Sequence, residues 1–180
     1  MKFNYLLTLL VGFIFLSSVQ AQRMAEPGVL GAGLASSYPA YGLSAKYNVL
    51  EHHSAQLIVG GASYGFGTSS FAVSGRYIYN FNVMGDSFYF KPYGYAQVSY
   101  LSIKNDYYYY NSSVYLNESR SDSTVSFGLG GGVECEIPNF VEGLAFSAEL
   151  GFVSGSFDDS VGGSISGLAY GAGVHYYFDF

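Results

Sequence analysis

The chain has 180 residues, of which 11% are charged, 19% are aromatic and 24 are glycine, with a formal net charge of -6. That length holds one sizeable domain, and 7 Lys and Arg against 13 Asp and Glu leave no basic surface for nucleic-acid phosphates. The single cysteine, Cys135, excludes an intrachain disulfide and a cysteine-cluster metal site.

The chain opens with Lys2, an apolar run from Tyr5 to Leu16, Ser17 and Ser18, and small residues closing at Val19-Gln20-Ala21. This is the layout of a secretory signal peptide over residues 1–21, and the run is shorter than the roughly 20 apolar residues a membrane-spanning helix needs. Cleavage after Ala21 starts the mature chain at Gln22. No later segment is a helical span, since glycine, serine or a charge interrupts every apolar run.

Beyond Ala21 helical patterning is nearly absent, and Tyr, Phe, Val, Ser and Gly dominate, which is strand chemistry. Read with a period of two, in which successive side chains point to opposite faces, the sequence predicts eight strands. They run from Gly28 to Ser36, Ala40 to Val49, Ser54 to Ser63, Ser70 to Phe81, Ser87 to Ile103, Ser123 to Ile137, Gly143 to Ser154, and Ser166 to Phe180. The last is the clearest: Leu168, Tyr170, Ala172, Val174, Tyr176, Phe178 and Phe180 share one face, while Gly167, Ala169, Gly171, Gly173, His175, Tyr177 and Asp179 share the other. Every ionisable residue inside a predicted strand (Lys46, Arg76, Lys91, Glu134, Glu136, Glu149, His175, Asp179) lies opposite the apolar set.

Alternation alone also fits a soluble barrel with its apolar face inside. Three features reverse the faces. Bulky rings sit at two levels of the apolar faces, with Tyr47, Tyr79, Phe90 and Phe178 at one and Tyr41, Phe71, Phe127 and Tyr170 at the other, as in the interfacial girdles of membrane barrels. The polar faces are crowded with Gly, Ala and Ser, as an eight-stranded interior requires. The connections also alternate: Leu50 to His53, Asn82 to Asp86 and Pro138 to Glu142 are short, whereas Lys104 to Asp122 and Gly155 to Ile165 are long, the membrane-barrel pattern with short turns in the periplasm.

The signal peptide, the Gly-rich strand Phe127 to Glu134 and the terminal Tyr176-x-Phe178-x-Phe180 resemble the small eight-stranded outer-membrane barrels of the OmpA/OmpX type, in particular the outer-membrane β-barrel domain family abundant in Bacteroidota. The resemblance covers residues 22–180 as a pattern rather than a fingerprint. Trp is absent, unlike in many members; Tyr, of which the chain has 19, can take its place at the interfaces. It implies that the terminal aromatic strand is the signal read by the outer-membrane assembly machinery.

The inward charges are the first candidate site. A hairpin register that faces Ile103 with Asp122 also faces Lys91 with Glu134, and Lys46, Arg76, Glu149 and His175 look into the same lumen. Such a set serves either as a charged gate or as a polar plug holding the barrel together. Ser147, Glu149 and His175 have the composition of a hydrolase triad, but a filled barrel offers no pocket with an oxyanion site. A lipid hydrolase would need its Ser and His on the outer face, where the predicted strands carry no His. His52 and His53 sit in a turn with only Glu51 near, too few ligands for a metal, and Cys135 reads as a small hydrophobe on the outer face.

The second candidate is the long loop 104–122. Tyr107, Tyr108, Tyr109, Tyr110 and Tyr115 offer rigid contact area with polar tips, suited to an extracellular partner; the alternative is an exposed hairpin prolonging strands five and six. Asp122-Ser123-Thr124 and Asp159-Ser160-Val161 also match the short O-glycosylation acceptor pattern of Bacteroidota.

The sequence thus predicts an all-β chain: an eight-stranded antiparallel up-and-down transmembrane barrel of the outer membrane. It is monomeric, with a plugged polar lumen, no cofactor and no catalytic activity. Its expected partners are the bilayer, the assembly machinery and a surface partner at 104–122. A narrow solute pore is the second functional reading and a lipid-modifying enzyme the third; a soluble lipocalin-like barrel is the alternative fold.

Overall fold

A strand with one bulky and one compact face closes into a narrow tube when the compact faces turn inward. That is the arrangement in the computed structural model, which describes residues 23–64, 68–85, 88–111, 114–137, 140–157 and 164–178, and the side chains of these except residues 23, 64, 106–118 and 120. The expected signal peptide, Asp159-Ser160-Val161 and Phe180 lie outside the described residues. A short 3-10 turn, Arg23–Ala25, leads into β1 (Leu30–Ser37), β2 (Ala40–Leu50), β3 (His53–Tyr64), β4 (Thr68–Asn80), β5 (Tyr89–Asn111), β6 (Val114–Glu136), β7 (Leu144–Phe157) and β8 (Ser164–Phe178). Each strand pairs antiparallel with its sequence neighbour, and β1 pairs with β8 to close an eight-stranded barrel.

Register follows the turns. Lys91 faces Glu134 and Ile103 faces Asp122 across β5 and β6, and Leu30 faces Phe178 across the closing seam. The start of β1 and the end of β8 therefore lie at one rim, called here the terminal rim, with the connections 51–52, 81–88 and 137–143.

The opposite rim departs from the sequence reading. Segment 104–122 takes the hairpin alternative rather than the long loop: the β5–β6 ladder runs on through Tyr107↔Glu118 and Tyr110↔Tyr115 to Asn111↔Val114. Its Tyr run favours strand, whereas its Asn, Asp and Ser residues read as turn. Likewise Gly155–Phe157 belong to β7 and Ser164–Ile165 to β8. The two rims therefore differ in strand length more than in loop length: connection 81–88 is longer than the Tyr38–Pro39 turn at the opposite rim, while β5 and β6 have 23 residues each. Asp122-Ser123-Thr124 falls within β6, and Thr124 is buried with its hydroxyl donated to the Ser156 carbonyl at 2.6 Å.

The outer face is apolar and uncovered. Leu43, Leu129, Phe127, Leu150, Phe152, Leu168 and Tyr170 all point outward and are exposed. At the terminal rim the outward rings contact one another, Tyr79 with Phe81 at 5.4 Å and Tyr176 with Phe178 at 4.8 Å between centroids. His53 also stands on this face, its ring edge-on to Tyr79 at 5.5 Å and its Nδ1 2.6 Å from the Tyr77 hydroxyl. That corrects the expectation of an outer face without histidine, because β3 starts one residue earlier than predicted. Among the described residues no helix is long and apolar enough to cross a membrane, which says nothing of strands.

Candidate functional site

Inward positions along each strand are every second residue, so the lumen is built in layers. The glycines make room for its large side chains. A Cβ at Gly31 would stand 2.7 Å from the Tyr177 ring, one at Gly132 2.7 Å from Tyr93, and one at Gly130 2.6 Å from Tyr95. Three inward tyrosines thus lie over glycine, and the tube holds rings and charges that a uniform wall of alanine would exclude.

The layer nearest the terminal rim seats the 3-10 turn. Met24 is wholly buried against Val29, Ala145 and Tyr177. Its carbonyl accepts from Asn48 Nδ2 at 3.0 Å and from Lys91 Nζ, and its N–H donates to Glu136 Oε2 at 3.4 Å. Gly143 N–H donates to the other oxygen of Glu136 at 2.9 Å. The 3-10 turn is therefore bound inside the barrel mouth by side chains from three strands.

The next layer centres on Glu134. Its Oε2 lies 2.8 Å from Lys46 Nζ and 3.0 Å from Lys91 Nζ, and its Oε1 accepts from the Tyr177 hydroxyl at 2.7 Å. All four side chains are buried. One carboxylate thus serves two ammonium groups and a phenol, and the local charge is positive by one. In a site with no bulk water that geometry is needed, because removing a partner leaves an uncompensated buried charge.

A third layer is organised by Arg76. It donates to Glu149 Oε2 at 2.8 Å and to Gln56 Oε1 at 2.9 Å, while its guanidinium lies 3.9 Å from the centre of the Tyr95 ring. Tyr93 donates to the same Glu149 oxygen at 3.0 Å. Gln56 Nε2 donates to Ser44 Oγ at 2.9 Å, and His175 Nε2 lies 2.8 Å from that hydroxyl. Lys46 Nζ sits 5.1 Å from the Tyr93 ring centre, which links the second and third layers.

All six predicted lumen residues, Lys46, Arg76, Lys91, Glu134, Glu149 and His175, therefore stand in one interior, as two ion-pair groups rather than one. The imagined triad is not assembled: the register places His175 beside Ala145 and Ser147 beside Gly173, and the imidazole meets Ser44 and Gln56. Tyr107 to Tyr110 and Tyr115 lie on the β5–β6 extension, away from this interior, with side chains outside the described set. Tyr176 and Phe178 face outward at the terminal rim beside β1. Sequence reasoning missed Tyr93, Tyr177, Gln56, Asn48, Glu136 and Met24 as members of the site. The first five have the inward parity that marked the charges, whereas Met24 precedes the first strand and carries no periodic signal. Among the described residues no group of His, Cys, Asp and Glu is arranged to hold a metal ion.

The far end of the lumen is different. Inward Ala35, Ile58, Ala72, Leu101, Val153 and Ile165 form an apolar cluster there, where the sequence reading expected a polar lumen throughout.

No protein family and no curated protein matches this chain. Among solved structures it is similar to the N-terminal β-barrel domain of Pseudomonas aeruginosa OprF, at 17% identity over 83% of this chain and 96% of that one, with a TM-score of 0.45. It is also similar to Acinetobacter baumannii CarO2, at 12% identity over 85% of this chain and 100% of that one, with a TM-score of 0.32.

Proposed function

We propose that the chain is an integral protein of the outer membrane, exported by the signal peptide of residues 1–21, with a plugged lumen and a structural or surface-interaction role rather than a catalytic one. The observation that carries this reading is the pairing of an uncovered apolar outer face with a charged, fully buried interior. A soluble barrel would expose a contiguous apolar surface far beyond the few hundred Å² that monomers tolerate, and would bury Lys46, Lys91, Arg76 and Glu134 where it needs an apolar core. In a bilayer both features are favourable, because hydrocarbon covers the outside and β1–β8 pairing satisfies the backbone along Leu30–Ser37.

The lumen residues act as a plug. Lys46, Lys91, Glu134 and Tyr177 cross it at one level, Arg76, Glu149, Tyr93 and Tyr95 at the next, and Met24 closes the mouth. The C-terminal strand with Tyr176, Phe178 and Phe180 is the segment offered to the assembly machinery, and the β5–β6 extension with Tyr107, Tyr108, Tyr109, Tyr110 and Tyr115 is the surface offered to an extracellular partner. The test is fractionation followed by a gel with and without boiling. We expect the protein in the outer-membrane fraction, with faster migration before heating; protein that stays soluble without detergent overturns the reading.

A further inference from the structure

The wall of the barrel is incomplete at one place. The β1–β8 ladder ends at Ser37↔Gly171, yet β8 continues to Ser164. Over residues 164–170 it makes ladder pairs only with β7. On its other side stands the tip of the short β1–β2 hairpin, and that tip is drawn into the lumen: Gln97 of β5 donates to the Tyr38 carbonyl at 2.8 Å and accepts from Ser37 Oγ at 3.0 Å. A lateral notch results between the free edge of β8 and the turn at Tyr38.

Behind the notch lies an open recess of about 520 Å³, a size that holds a small-molecule ligand. Its inner wall is Leu101, Ile103, Val153 and Ile165, from the apolar cluster at this end of the lumen or packed on it, its lip is polar at Ser164, Ser166 and the Tyr38 turn, and it reaches past the β8 edge to Leu168 on the outer face. Leu168 is 78% exposed and Tyr170 81%, and both belong to the outward apolar belt, so the recess opens beside the surface that meets lipid. The edge itself is polar: alternate residues of 164–170 direct backbone N–H and C=O groups away from β7, and in hydrocarbon such groups require a hydrogen-bonding partner.

We propose that this notch admits one acyl chain of a membrane amphiphile into the recess, with the amphiphile's ester or carboxyl end bound by the free backbone edge of β8. The inference rests on the membrane reading above. The observations join three requirements of such a ligand: an aliphatic inner wall for the chain, serines and a row of backbone groups at the lip for the polar end, and an opening beside the surface that meets lipid. The charged layers beneath set the depth of the site, since Gln97 and Arg76 leave the lower lumen polar.

The test is photolabelling of the full protein, purified from the outer membrane and placed in phosphatidylcholine vesicles that carry an acyl-chain diazirine, either on phosphatidylcholine or on a free fatty acid. Adduct sites are mapped by peptide mass spectrometry. We expect adducts on inward Leu101, Ile103 and Val153 as well as on outward Phe127, Phe152 and Leu168; the probe that labels the inward set identifies the amphiphile. Adducts confined to outward residues with both probes overturn the inference and leave the membrane reading standing, whereas adducts on neither face overturn both. In a Val153→Phe variant the inward adducts at Leu101 and Ile103 should fall about tenfold, since the added ring takes the space beside those two side chains at a cost of that order, with outward adducts unchanged. Inward adducts that persist at full yield in this variant overturn the recess as the binding place.

Discussion

Tyr93 and Gly132 face each other across β5 and β6, and a Cβ on Gly132 would stand 2.7 Å from the tyrosine Cζ and 2.6 Å from the carbonyl of Ala148. The ring cannot retreat freely, since its hydroxyl holds Glu149 at 3.0 Å. Gly132→Ala should therefore destabilise the barrel by about 1–3 kcal/mol, the cost of overpacking. Gly94→Ala, where the nearest atom to the added carbon is 3.8 Å away on the outward side, should be tolerated. The comparison is read from the temperature at which the folded band disappears on a gel.

Glu134 is the common partner of Lys46, Lys91 and Tyr177. Glu134→Ala leaves two ammonium groups in a buried layer with no carboxylate between them, and should cost about 3–5 kcal/mol. Glu149→Ala, which frees the single charge of Arg76 with Gln56 and the Tyr95 ring still in place, should cost less. Equal melting temperatures for wild type and Glu134→Ala in detergent would remove the ion group from the account of stability.

The outer face makes its own demand. Leu150 points outward at mid-strand and is 60% exposed. Facing hydrocarbon, Leu150→Arg should lose about 2–4 kcal/mol on folding into vesicles; facing water, it would be nearly neutral. Folding into lipid vesicles against urea distinguishes the two.

On the plugged-lumen reading, the two charged layers and the seated Met24 turn are a barrier to water along the tube. Planar-bilayer recordings of the wild-type protein should show no steady single-channel steps. Regular steps would favour the narrow-pore reading.

Asn48 holds the 3-10 turn through the carbonyls of Met24 and Glu26, at 3.0 and 3.1 Å, and receives Ser54 on its own oxygen at 2.8 Å. Asn48→Ala should loosen the seated turn without opening the strands. Hydrogen exchange should quicken at residues 24–28 and stay slow in β5 and β6; unchanged exchange at 24–28 would show that the turn is held by its apolar seat alone.

Strand number, closure, and the facing of Lys91 and Glu134 were all legible in the sequence, because a two-residue period fixes which side chains share a face, and a hairpin fixes register for every pair along it. Inward parity likewise marked Tyr93 and Tyr177. What the period does not carry is how eight faces meet. Whether Arg76 joins Glu149 or Glu134 depends on levels set across non-neighbouring strands, and the tuck of Met24 into the mouth is a tertiary contact of a segment without periodicity. Nor does parity distinguish a strand that keeps pairing from a polar loop: the β5–β6 extension exists because each strand supplies the other's hydrogen bonds. The notch beside β8 arises in the same way, from a mismatch between an 8-residue β1 and a 15-residue β8 that only closure of the barrel brings side by side.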